Sequence, residues 1–90
     1  MEITSVTIHR ILNEEHTNAY ASITVDDCIV IHGVALYGRK SGYGIRMPRV
    51  KRPDGRYVDV AMPLNNETRQ MILKAIIAEY AKVTRDSLKR

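Results

Sequence analysis

Seven cations crowd around one turn signal in the segment RKSGYGIRMPRVKRPDGRYV. They are Arg39, Lys40, Arg46, Arg49, Lys51, Arg52 and Arg56, set against a single acid, Asp54. Residues 39–58 therefore carry +6, seven basic less one acidic. Residues 1–38 come to −4 and the chain from Asp59 onward to +2, so the net charge of +4 conceals a steep local asymmetry. Lys and Arg gathered on short extended segments beside a turn are the electrostatic footprint of a polyanion site, with nucleic acid foremost among the ligands. Each neutralised phosphate releases counterions, and five contacts imply a log–log salt slope of about −4 to −5. The candidate phosphate contacts are Arg46, Arg49, Lys51, Arg52 and Arg56. On an extended strand Arg49 and Lys51 share one face while Val50 and Arg52 take the other. The Arg52-Pro53-Asp54-Gly55 turn signal can fold Arg56 back opposite them. The same charges would also serve a solvated turn that keeps an edge strand from pairing.

Tyr37, Tyr43 and Tyr57 bracket the basic stretch. Tyr43 and Tyr57 are the candidates for stacking on unpaired bases, although tyrosine is also an ordinary packing residue of strands. Nothing in the chain encodes a groove-reading recognition helix. His9, His16 and His32 with Cys28 fit no compact ligand spacing, so no metal site is expected. The carboxylates are dispersed, and no nucleophile elbow, Ser–His–Asp pattern or glycine-rich phosphate loop is present. Asp59 reads as a partner for an arginine rather than as a general acid or base. The expectation is a protein with no catalytic residues, no cofactor and no small-molecule substrate.

The elements that must position these residues follow from pattern. Residues 2–12 are rich in Ile, Val and Thr and read as a first strand. Ala19, Ala21, Ile23 and Val25 alternate with Tyr20, Ser22 and Thr24, the period of a half-buried strand. Asp26-Asp27 then breaks into the apolar run CIVIHGVALY, which reads as the return arm of a hairpin with a bulge or bend at Gly33. In this reading Cys28 is a buried strand residue in a reducing compartment. A glycine-rich connection leads to a strand IRMPRV, and YVDVAM returns after the Asp-Gly turn. Asn65 and Asn66 are good caps for a helix over about 66–83, with Glu67 in its first turn. Ile72, Ile76 and Tyr80, flanked by Leu73, Ile77 and Ala81, give that helix one apolar stripe. The predicted fold is α+β, a four- to five-stranded antiparallel sheet followed by one long C-terminal helix.

Ninety residues make a single domain, taken as residues 1–83 with a basic tail over 84–90. Such a chain buries only about 60–65% of its unfolded surface. Its core is aliphatic, with five Tyr and no Trp or Phe. A marginal core gains by burying surface against a second copy, so a homodimer is expected. No leader segment opens the chain and no apolar run approaches a membrane span, which points to a cytoplasmic protein with no membrane partner.

The second half carries a more specific pattern: Gly42, Met47-Pro48, Pro53-Asp54-Gly55, Tyr57-Val58-Asp59-Val60-Ala61, Pro63-Leu64-Asn65 and Arg69. This run resembles the signature of the stage V sporulation protein G (SpoVG) family of septation proteins, and the resemblance covers about residues 1–82. The opening MEITSVTIHRI and the hairpin YASITVDDCIVIHGVALY match more loosely. The chain departs from the family pattern at Gly44, Arg46 and Arg49, which leaves the strand more basic and less aromatic, and at Met62, where the family usually has His before Pro63. The resemblance implies a bacterial cytoplasmic homodimer that binds DNA, RNA or both as a regulator of septation and sporulation. Its contacts would map to Arg49, Lys51, Arg52 and Arg56. The alternative is a protein-interaction module that regulates septation by docking an acidic partner on the same basic face.

Overall fold

Among the described residues of the computed structural model the chain forms six strands and one helix. They are β1 (Ile3–Ile11), β2 (Ala19–Val25), β3 (Ile29–Arg39), β4 (Gly42–Arg46), β5 (Arg49–Lys51), β6 (Tyr57–Asp59) and α1 (Asn66–Leu88). The structure describes residues 1–11, 17–39 and 42–88, with Arg39 and residues 85–88 described by backbone alone. Most of the polar loop after the first strand, including His16, lies outside the described residues, as do Lys40, Ser41, Lys89 and Arg90. Strands β1 to β4 form one antiparallel sheet in sequence order, and β5 pairs with β6 in a separate two-stranded sheet. This is the α+β architecture that the pattern predicts.

Alternation in β2 sets the core. Ala19, Ala21 and Ile23 are fully buried and pair with Leu36, Val34 and Ile31 of β3. The helix lies across this face, driving Ile72 and Ile76 into a cluster with Ile23, Val34, Leu36, Ile45 and Met47. Asn65 caps the helix, its Oδ1 accepting from the Thr68 amide at 2.8 Å. No Gly or Pro interrupts the sequence beyond Val83, and the helix continues to Leu88 rather than ending near 83. In its first turn Arg69 donates from Nη1 to the Ile45 carbonyl at 3.1 Å, fastening α1 to β4.

Two turns explain where the sequence reading holds and where it shifts. Asp26 and Asp27 both sit at φ 52°, the left-handed region that Asp tolerates better than most residues. The Cys28 amide closes the turn on the Val25 carbonyl at 2.9 Å, giving the two-positive-φ geometry that suits tight hairpins. Cys28 therefore belongs to the turn and is exposed, which corrects the expectation of a buried strand thiol. Gly33 does mark a bulge, at φ 80°: between Ala21↔Val34 and Ile23↔Ile31, His32 and Gly33 together oppose Ser22.

The stretch IRMPRV is two strands rather than one. Met47 is buried in the core and Pro48, which has no N–H to give a ladder, breaks the pairing. The Pro48 carbonyl accepts from the Val60 amide at 2.8 Å and closes the base of the β5–β6 hairpin. Among the described residues, β5 and β6 pack on no other strand or helix, and every residue from Arg49 to Val60 is exposed. The hairpin is an arm held out from the sheet.

Candidate nucleic-acid interface

The arm is pinned at its tip by its own turn chemistry. The Gly55 amide donates to the Arg52 carbonyl at 2.9 Å, the Arg52 amide to the Arg56 carbonyl at 2.7 Å, and Asp54 Oδ1 accepts from the Arg56 amide at 3.0 Å. Gly55 lies at φ 90°, so Pro53, Asp54 and Gly55 make a type I turn followed by a left-handed residue. This geometry fixes the register Arg49↔Asp59, Val50↔Val58, Lys51↔Tyr57. One face of the arm then carries Arg49, Lys51, Tyr57 and Asp59. The other carries Val50 and Val58, and by alternation Arg52 and Arg56 near the tip.

Arg49 leans on Asp59, Nε to Oδ1 at 3.3 Å, as a half-exposed pair worth a few tenths of a kcal/mol to about 1 kcal/mol. Among the described residues, Lys51, Arg52 and Arg56 meet no carboxylate in an ion pair. Arg46 stands on the sheet face opposite the helix, with its Nη2 3.5 Å from Thr17 Oγ1.

Between that open face and the arm lies a cleft of about 530 Å³, lined by Tyr20, Arg46, Pro48, Arg49 and Tyr57 with Gly33, Ala35 and Met47 beneath. The structure thus brings together Arg46, Arg49 and Tyr57 of the sequence-predicted set. Lys51 continues along the same face of the arm, while Arg52 and Arg56 sit around the edge. Tyr43 is elsewhere: it alternates with Gly44, shares the helix side of the sheet with Ile45, and meets Tyr80 edge-on at 6.3 Å. The ring of Tyr37 lies over Gly44, where any Cβ would come within 2.7 Å of its Cζ.

Tyr20 was not among the sequence candidates, and its role comes from register. Tyr20 pairs with Ala35, and Ala35 with Arg46, so the three form one row across β2, β3 and β4. The available signal was its place on the polar side of the alternation.

A second polar group occupies the same open face. Ser22, only 6% exposed, has its Oγ 2.5 Å from His9 Nε2 and 2.6 Å from His32 Nδ1. A hydroxyl has one proton, so where it donates to one ring the other ring must donate an N–H to it. No group of three metal-ligating side chains gathers among the described residues.

A four-stranded sheet backed by a single helix, with a basic arm held beside its uncovered face, defines a small α+β protein built around a projecting hairpin. The chain belongs to the SpoVG family, whose model matches residues 1–82. It is 41% identical over 83 residues to a protein of Caldicellulosiruptor bescii, covering 92% of this chain and 94% of the relative. It is 42% identical over 83 residues to one of Clostridium acetobutylicum, covering 92% and 87%. Over 88 residues it is 38% identical to one of Oceanobacillus iheyensis, covering 98% and 92%. All three carry the name "Putative septation protein SpoVG". No helix among the described residues is long and apolar enough to cross a membrane.

Proposed function

We propose that this protein is a cytoplasmic, nucleic-acid-binding regulator of septation that acts as a homodimer and grips phosphates along the β5–β6 arm. The observation that carries the reading is the placement of its cations. Arg46 and Arg49 flank one cleft, Lys51 extends its line, and Arg52 and Arg56 cap the tip, on an arm whose described residues are all exposed. An arm that served only to solubilise an edge would not need its Arg49 to share an open cleft with Arg46 of the sheet. The septation role rests on the names of the relatives and adds nothing to the chemistry.

The second copy has a surface to meet. Val50, Val58, Val60, Met62 and Leu64 are all exposed, the last at 92%. An isolated two-stranded hairpin is marginal in water, so an apolar partner against Val50 and Val58 would stabilise the arm as well as the dimer.

The test is fluorescence anisotropy with labelled single-stranded RNA, single-stranded DNA and duplex DNA, each titrated with salt. Five phosphate contacts predict a slope of about −3.5 on single strands and about −4.5 on duplex. With Arg49, Lys51, Arg52 and Arg56 all changed to Ala, the slope should shrink to that of one remaining contact, about −0.7 on single strands and about −0.9 on duplex, while the fold persists. Binding by the parent no tighter than to heparin, unchanged in the variant, would discard nucleic acid and favour an acidic protein partner.

A further inference from the structure

Resting on that phosphate-binding reading, we propose that the cleft between the sheet and the arm is a subsite for one unpaired nucleobase. Single-stranded nucleic acid is then the preferred ligand. The lining residues bear this chemistry in the right proportion: two tyrosines, two arginines and no carboxylate. Tyr20 is 37% exposed on the sheet and Tyr57 62% exposed on the arm, so both tyrosines are accessible at one opening. A protein partner recognised by charge alone would have no use for these rings. A base offers a π-face to tyrosine and to guanidinium alike, and its own phosphate to the second arginine.

The floor is kept low. Tyr20 and Arg46 rise two strands apart, about 9–10 Å between backbones, and the only side chain between them in the row is the methyl of Ala35, 2% exposed. Gly33 contributes no side chain, and the bulge at φ 80° turns its backbone toward Pro48. A Cβ added there would stand 3.6 Å from Pro48 Cβ and partly fill the cleft floor. The cleft volume falls within the range of about 300–1,000 Å³ common to small-ligand sites, ample for one base with part of its sugar. Asp59 is not among the lining residues and is held against Arg49, Nε to Oδ1 at 3.3 Å.

Duplex bases are stacked and paired, and present no π-face to such a cleft. A duplex can offer only its phosphates, whereas a single strand can turn one base inward while its neighbours follow Lys51 and the arm. Stacking is tolerant of sequence, so the preference is for strandedness rather than for a particular base.

The deciding experiment compares an intact single-stranded 12-mer with one of equal charge that is abasic at all twelve positions, by anisotropy across a salt titration. Loss of one stacked base is expected to weaken binding about 5- to 150-fold. The parent should therefore favour the intact strand by at least about 5-fold, with equal salt slopes for both. Tyr57→Ala should bind both strands alike at the abasic affinity, Tyr20→Ala should behave the same way, and Tyr57→Phe should restore the preference. If the parent binds both strands equally with its full salt slope, the base subsite is overturned while the phosphate reading stands. If it binds neither, both fail. Sedimentation of Tyr57→Ala guards the remaining route: a monomer where the parent is a dimer would show that a second copy fills the cleft, and would overturn the subsite. Competition by AMP as strong as that by the oligonucleotide would assign the cleft to a free nucleotide and overturn the strand reading.

Discussion

Two glycines four residues apart at the β3–β4 hairpin should respond to alanine with opposite signs. Gly38 pairs with Tyr43 and lies at φ 133°, a region that side chains with a Cβ avoid. A Cβ there would overlap the Gly42 carbonyl oxygen and come within 2.7 Å of Tyr43 Cα. Both obstacles are backbone of the paired strand, so no rotamer change relieves them. Backbone strain of about 1–3 kcal/mol and overpacking of about 1–3 kcal/mol together make Gly38→Ala roughly 2–6 kcal/mol destabilising. A chain of this size has on the order of 5–13 kcal/mol to lose. Gly42 has no atom within 4 Å of its notional Cβ and no positive φ. Alanine there restricts the unfolded chain and should stabilise by about 0.4–1 kcal/mol. At about 4–8 °C per kcal/mol, the Gly38 variant should melt at least ~10 °C below the parent and the Gly42 variant a few degrees above it. Far-UV circular dichroism at one fixed protein concentration reads both, since the proposed self-association would make melting concentration-dependent. Equal melting temperatures for the two variants would refute the close strand approach at Gly38.

Ser22→Ala removes the hydroxyl that both imidazoles share and should cost about 1–2 kcal/mol, seen as a shift in the urea midpoint without a change in its slope. Asp59→Asn leaves Arg49 unpaired beside the cleft and removes a repelling charge, so affinity for single strands should rise about 1.5- to 5-fold, with little change in melting temperature. Val50→Asn with Val58→Asn polarises the apolar face of the arm and, on the proposed homodimer, should leave a monomer by sedimentation. Its far-UV helix signal should stay close to that of the parent, because neither valine belongs to the core cluster against which the helix packs.

Much of the architecture was legible because it rests on local period. The alternation from Ala19 to Val25 and the four-residue spacing of Ile72 and Ile76 each state which side faces the core, and the packing agrees. What escaped depends on register between distant strands. Tyr20 reaches Arg46 only because both pair with Ala35. His9 and His32 converge on Ser22 only because β1 shifts register between Ile8 and Arg10 and β3 bulges at His32-Gly33. Neither irregularity changes composition or periodicity enough to announce itself. Cys28 misled for the opposite reason: the apolar run CIVI looked uniform, but its first residue was needed to close the turn after two left-handed aspartates.

The arm makes physical sense of the Met47-Pro48 step. A strand that continued from β4 straight into β5 would extend the sheet, and its alternation would have to answer to the helix on one side. Met47 ends that obligation by filling the core, and Pro48 ends the ladder, so among the described residues the three pairs that follow pack on no other strand or helix. Period-two alternation then sorts the paired residues, Arg49, Lys51, Tyr57 and Asp59 on one face and Val50 and Val58 on the other, with Arg52 and Arg56 following the valines toward the tip. On the proposed reading, self-association uses Val50 and Val58, while phosphate binding uses Arg49 and Lys51 on the other face and Arg52 and Arg56 beyond the valines at the tip. Each also supplies packing that a free two-stranded hairpin lacks, so a partner on the valine face pre-orders the basic face. A chain with only ~90 residues and a small core gains by this arrangement, since the same few residues are ordered once and used twice.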